Sequence, residues 1–238
     1  KVGRARVGAN TNTDGPRVDV FVAEKFGKVK QIDAAYGWSI NEMEEAARMG
    51  YPLNSEKARV CMEAISTAED EMLALGDTEV STGQALTTTG LINNADVEVL
   101  NQALITMATD PQAMADVFSN AASDIVIDSK QTEYADTLLC PMVIYNILTQ
   151  KKMSAFGSES VAQYIVKNNP YIKNIEQWHR LDGAGASNKN RCVLYRRDPS
   201  RLEGIRPATI RQLPPQLKGY EAVINAFSRC GGVKWYRP

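Results

Sequence analysis

Apolar residues recur at spacings of three and four through Ala58, Cys61, Ile65, Ala68, Met72 and Leu75, which is one stripe along one helical face. Pro52-Leu53-Asn54 stops the preceding chain and offers Asn54 as a cap, and Gly76 supplies a left-handed stop. The pattern predicts a helix over 54–75, about 22 residues and roughly 33 Å at 1.5 Å per residue, where about 11 residues is usual. Glu69, Asp70 and Glu71 crowd its C-terminal end, where the helix dipole disfavours negative charge. Burial of the stripe has to outweigh that repulsion, so the helix reads as a strut to which both flanks attach.

Before it, Val18, Val20 and Val22 alternate with Asp19 and Phe21, the period of a half-exposed strand. Residues 2–7 and the turn cluster at 10–16 complete a long hairpin. Glu24-Lys25-Phe26-Gly27-Lys28 breaks the alternation before 29–36 resumes as a strand. An isolated two-stranded ribbon is marginal in water. The hairpin is therefore expected to pack on another subunit, with Val18, Val20, Val22, Lys25, Phe26 and Lys28 as inter-subunit contacts. Ser39-Ile40-Asn41-Glu42 is a capping box opening a short helix that ends at Gly50.

After the strut, 77–90 reads as a structured connection. Asp96 is placed to cap a helix whose Val97, Leu100, Leu104 and Met107 share a face. Asp110-Pro111 starts another, carrying Met114, Val117, Phe118 and Ala121. A short apolar run over 135–140 is followed by helices over 142–148 and 160–167. Strands are predicted over 171–178 and 192–195, separated by a flexible loop at 182–187. The chain closes with 220–227 and 233–236 as two antiparallel strands joined through Gly231-Gly232. Helices and strands in this order predict an α+β fold in which one lobe interrupts another.

Composition narrows the function classes. The chain of 238 residues can bury a sizeable core, in one unit or two. Hydrophobic residues make up 44% and no apolar run approaches the 18 or so that cross a bilayer. A formal net charge of −1 gives no overall drive toward nucleic acid or an acidic surface. Cys61, Cys140, Cys192 and Cys230 are widely spaced with no C-x-x-C, and read as buried reduced thiols of a cytosolic product. With Lys at position 1 and no signal peptide following, the chain is expected to be processed or incomplete at that end.

Catalytic signatures are sparse. His179 is the single histidine, beside Trp178 and Arg180, and reads as structural or surface; no His pair or thiol pair has metal-ligand spacing. Gly183-x-Gly185 lacks the third glycine of a dinucleotide loop. Asp124, Asp128 and Asp136 lack calcium-loop spacing and read as solvated. Arg191, Arg196, Arg197, Arg201, Arg206 and Arg211 form a basic stretch, for which inter-subunit ion pairs are favoured over phosphate binding because acids are interspersed and stacking aromatics are not. No cofactor and no metal is expected.

The order of these parts resembles the Hong Kong 97-type major capsid proteins of tailed phages, a fold shared with encapsulin shells. Carrying the likeness are Pro16-Arg17-Val18-Asp19-Val20, Ala34-Ala35-Tyr36-Gly37-Trp38-Ser39-Ile40-Asn41-Glu42, Pro52-Leu53, Leu75-Gly76-Asp77, Tyr171-Ile172-Lys173, Trp178-His179-Arg180-Leu181-Asp182, Tyr195-Arg196-Arg197-Asp198-Pro199 and Gln212-Leu213-Pro214-Pro215-Gln216. The resemblance implies an extended loop over 1–33, a peripheral domain with its spine helix over 34–95, a mainly axial domain over 96–212, and a return to the peripheral sheet over 213–238. It implies a non-enzymatic virion protein, assembled in the host cytoplasm into pentamers and hexamers of an icosahedral head around double-stranded DNA. Scaffold, portal and decoration proteins are its possible further partners, and a membrane is not. No N-terminal arm precedes Lys1, so that portion is expected to be cleaved, disordered or outside the sequence. Some shells of this lineage cross-link a loop lysine to a peripheral asparagine; Lys25, Lys28 and Asn225 are the counterparts here, but their registers are shifted and cross-linking is not expected. The alternatives are an encapsulin-like compartment holding protein cargo and, more remotely, a small-molecule enzyme with a dispersed site.

Overall fold

The computed structural model describes residues 28–76, 89–95, 97–102, 104–154 and 157–236. The predicted hairpin, including Val18, Val20, Val22, Lys25 and Phe26, lies outside the described residues, as does the Asp96 cap; Lys28 is described and exposed.

β1 (Lys30–Ser39) runs into α1 (Ile40–Met49). Ser39 makes the predicted capping box: its Oγ accepts from Glu42 N at 3.3 Å while its own N–H donates to the Glu42 carboxylate at 3.2 Å. Gly50, at φ 68°, ψ 23°, is the left-handed stop. α2 (Leu53–Leu75) is the long helix, beginning one residue before its expected start. Asn54 is already inside it, and Pro52 precedes the helix without a side-chain cap.

Gly76 differs from expectation too, at φ 71° and ψ −156°, outside the left-handed helical region. A helix end leaves its last four carbonyls without intrahelical partners, and here Gly76 N meets the first of them and the returning 91–93 segment the other three. Met72 O accepts from Gly76 N, Leu73 O from Leu91 N and Ala74 O from Ile92 N, each at 2.9 Å, and Leu75 O from the Asn93 side chain. Gly90 has to be glycine there, because a Cβ would lie 2.3 Å from Ala74 O.

α3 (Pro111–Asp128) starts as the sequence predicts, with the Asp110 carboxylate accepting from Gln112 N at 3.1 Å and Ala113 N at 3.3 Å. β2 (Thr137–Cys140), α4 (Met142–Gln150), α5 (Val161–Asn168) and β3 (Asn174–Gln177) follow, with a Ser160/Gln163 capping box at α5. β4 (Val193–Tyr195), β5 (Leu202–Gly204), β6 (Ala208–Gln212), β7 (Gln216–Lys218), β8 (Glu221–Cys230) and β9 (Val233–Trp235) complete the chain. No helix of the described residues is long and apolar enough to cross a membrane.

The strands form three sheets. In the first, β1 pairs antiparallel with β8 over their full lengths, from Lys30 opposite Cys230 to Ser39 opposite Glu221, and β6 and β7 pair with the other edge of β8. This register puts even-numbered residues of both strands on one face. There Ile32, Ala34, Tyr36 and Ala226 pack with Ile210 against Cys61 and Ile65 of α2. Alanines at the facing pair Ala34 and Ala226 let the helix sit close.

The second sheet has the order β3-β2-β4, with β2 central, parallel to β3 and antiparallel to β4. β2 is buried throughout, as a central strand between packed layers should be. Met114 and Phe118 of α3, Ile144 and Leu148 of α4, and Val161 and Ile165 of α5 close over Leu138 and Cys140 in the main core. A smaller cluster of Ala74, Ile92, Leu139 and Leu181 joins that core to the end of α2.

Two further expectations fail. The described residues of 97–107 form no helix, and Val99, Leu100, Leu104 and Met107 stand exposed. A helix of that length needs an apolar partner to be stable, and among the described residues none covers this stripe. Nor do the last two strands form a hairpin. β9 pairs with β5, Leu202 opposite Trp235, and leaves β8 to β1, β6 and β7. The turn at Gly232, φ 71°, delivers the chain to Gly204 and Thr89, with Val233 N donating to Thr89 O at 3.0 Å.

Candidate functional site

Glu69, Asp70 and Glu71 at the end of α2 form a polar cluster with side chains from distant parts of the chain. Asp70 Oδ1 accepts from the Trp178 indole Nε1 at 2.9 Å, and its Oδ2 accepts from Arg180 Nε at 3.0 Å. Arg180 also donates to Thr67 O at 3.1 Å and lies 3.8 Å from Glu71. Glu69, almost fully buried, pairs with Arg206 at 2.8 Å. The acids that the helix dipole disfavours thus each meet a guanidinium brought from another part of the chain. His179 stands beside this node, exposed, with Nε2 3.7 Å from Asp70 Oδ2. Both Asp70 oxygens accept, one from the indole and one from the guanidinium, so the cluster ties α2 to the segment after β3.

Most of the basic C-terminal stretch, for which inter-subunit ion pairs are expected, has partners within the chain. Arg196 reaches Glu133 at 3.4 Å and Asp198 at 3.5 Å and lies over the Tyr134 ring at 4.4 Å. Arg197 pairs with Glu176 at 2.7 Å, and Arg201 with Glu133 at 2.9 Å. Arg191 donates to Ile92 O. Asp136, expected to be solvated, accepts from Arg197 N at 2.8 Å and from Thr137 Oγ1 at 2.9 Å, organising the edge of the second sheet. No group of three or more His, Cys, Asp or Glu residues among those described is arranged to hold a metal.

Several large apolar side chains stand exposed on the described surface. Met43 and Met49 of α1 are exposed, and α1 buries none of its residues. Leu217 and Tyr220, at the turn between β7 and β8, are 83% and 84% exposed. With the bare 97–107 segment these make three separate apolar rims. On the outer face of α2 a shallow trough is lined by Ser55, Ala58, Arg59, Met62, Glu63 and Ser66. The signal for one rim was already in the sequence, since the unpartnered stripe of 97–107 is apolar without being core. Asn225 sits mid-strand in β8 opposite Ala35, on the sheet face away from α2.

Comparison with known proteins follows the same lines. The family model described as Major capsid protein matches residues 3–238. No curated protein matches the chain. Among solved structures, the chain resembles the capsid of Myoviridae phage XM1 with a TM-score of 0.76 and 20% identity, over 89% of this chain and 71% of that one. The virus-like particle from Pyrococcus furiosus matches with a TM-score of 0.60 and 12% identity, over 94% and 79%. A structure of Mycobacterium phage Ogopogo gives 0.55 and 14%, over 94% and 82%. The fold is therefore that of phage capsid subunits, as the order of parts along the sequence implied.

Proposed function

Because the chain belongs to the major capsid protein family, we propose that it is the shell-forming subunit of a tailed-phage head, assembling as pentamers and hexamers around double-stranded DNA. The family match across residues 3–238 is the observation that carries this reading. It is a structural role without a catalysed reaction, in which closure comes from repetition of heterologous contacts under symmetry, each modest by itself.

In this reading the extended loop expected over 1–33 reaches a neighbouring subunit only with the part before Lys30, since Lys30–Asp33 pair with β8 of their own chain; 34–95 and 213–238 form the peripheral domain, and most of 96–212 forms the axial one. The chain re-enters the first sheet at β6, ahead of residue 213. Val18, Val20 and Val22 supply the apolar face of the reaching segment, flanked by Lys25, Phe26 and Lys28. Burying one such valine is worth about 1.5–3 kcal/mol, from which the cost of ordering the segment is subtracted. The exposed rims at α1, at Leu217 and Tyr220, and at 97–107 are further surfaces for other copies.

Two measurements test this. Val20→Lys is expected to leave the subunit's melting temperature nearly unchanged while preventing closed particles; normal particles from that variant would refute the contact assignment. Particles purified from producing cells and treated with nuclease are expected to yield protected double-stranded DNA. Protein cargo without DNA would instead support a compartment of the encapsulin kind.

A further inference from the structure

β2 and β4 run antiparallel with Leu138 opposite Leu194 and Leu139 opposite Val193. One residue further in the same register, Cys140 faces Cys192. Directly opposed residues in such a ladder have Cα atoms about 4.5–5.5 Å apart, inside the roughly 4.4–6.8 Å that a disulfide bridges. Both cysteines are free thiols, Cys140 fully buried and Cys192 half-buried at the sheet edge. The remaining cysteines belong to other elements, Cys61 to α2 and Cys230 to the end of β8. We propose that Cys140 and Cys192 form a closable dithiol, an intrachain oxidation site that joins β2 to β4 beneath the α3, α4 and α5 core when the protein meets a small-molecule disulfide. This does not depend on the shell reading.

The neighbouring Cys192 thiol, together with burial, pushes the Cys140 thiol far above its ordinary range, so Cys140 is no initial nucleophile and Cys192, the accessible partner, reacts first. Its thiolate attacks one sulfur of a disulfide such as oxidised glutathione, releasing one equivalent of reduced thiol and leaving a mixed disulfide on Cys192. Cys140 then attacks the Cys192 sulfur, its proton passing to the departing thiolate as the Cys140–Cys192 bond forms and the bond to the second small thiol breaks. The protein loses two electrons, the small disulfide gains them, and the two protein protons end on the two released thiols.

The bond would enclose 141–191, including α4, α5, β3 and the Trp178–Arg180 segment that holds Asp70. Closing a loop of that length restricts the unfolded chain, so the oxidised protein should melt several degrees higher. The test uses the full chain, reduced, freed of reductant and then incubated with oxidised glutathione, with thiols counted after denaturation and disulfides mapped by peptide mass. Two of the four thiols should disappear, one peptide pair should link Cys140 to Cys192, and dithiothreitol should restore both thiols and the lower melting temperature. Cys192→Ser should abolish the reaction, whereas a Cys61→Ala, Cys230→Ala double variant should retain it. Four surviving thiols, a stable glutathione adduct on Cys192 with Cys140 still free, a bond between chains, or a linked protein that melts no higher would each overturn the proposal.

Discussion

Removing the guanidinium of Arg206 isolates the one buried carboxylate at the end of α2, and the cost can be worked from the geometry. Glu69 keeps 8% of its side-chain surface exposed, Arg206 keeps 46%, and one 2.8 Å contact joins them. The other carboxylate oxygen, Oε1, has no hydrogen-bond partner among the described residues. Breaking a fully buried pair by deleting one partner costs about 3–5 kcal/mol. Because Arg206 is half in solvent, screening and entering water reduce that to about 2–3 kcal/mol. Arg206→Met, which keeps the apolar stem, should therefore lower the urea midpoint of the unassembled subunit by about 0.7–1 M, taking a slope of about 3 kcal/mol per M. Fluorescence of Trp38, Trp178 and Trp235 reports the transition. Replacing both residues by methionine removes the charge together with its partner, so the double variant should recover to within about 1 kcal/mol of the parent. An unchanged midpoint in Arg206→Met, or a double variant as unstable as the single one, would show that the pair does not hold the helix end.

Other perturbations address other parts of the account. Ile65 is 1% exposed beneath the first sheet, so Ile65→Asp should cost several kcal/mol through an unpaired buried carboxylate and yield insoluble protein; Glu63→Lys, on the exposed face, should stay soluble with nearly parental melting. The Lys57 side chain, and secondly the Ser39 backbone N–H, hold Glu42 below its ordinary value of 4.5. A carboxyl lowered on folding stabilises above its unfolded value, and that contribution is lost as pH falls through the folded one. The stability gap between the parent and Glu42→Gln should therefore be present at neutral pH and close on acidification below 4.5. A gap that widened in acid would reverse the assignment. His179→Gln should leave particle yield within about twofold of the parent, since Asp70 is already held by Trp178 and Arg180; loss of particles from a folded subunit would give the histidine a role in assembly.

Local chemistry was the legible part of this sequence. Ser39 with Glu42, Asp110 with Pro111, and Ser160 with Gln163 each announce a helix start through groups within three residues of one another. The α2 stripe was legible because one face meets one sheet: Cys61, Ile65 and Met72 are buried as the spacing requires. Near the end of the helix the buried positions shift to Glu69 and Ala74, since the chain there turns toward Arg206 and the 89–93 return. What could not be read were pairings between distant segments. Glu69 and Arg206, or Asp70 and Trp178, are more than a hundred residues apart, and nothing nearby marks either as a partner. The last two strands looked like a hairpin because they are neighbours, yet β9 finds β5, whose short Leu-Glu-Gly segment carries little strand signal of its own. The 97–107 stripe misled for a different reason: helical spacing reports an apolar face and is silent on whether the same chain covers it. The hairpin contacts, from Val18 to Phe26, lie outside the described residues, so their assignment rests on the alternation in the sequence and on the family.

Electron microscopy of the purified protein tests the central claim most directly. The account predicts closed shells of uniform diameter built from pentamers and hexamers, into whose subunit density α2 and the β1–β8 sheet fit as described. A population that stays monomeric, or forms only open or irregular aggregates, under conditions where the parent subunit unfolds cooperatively in urea, would contradict it.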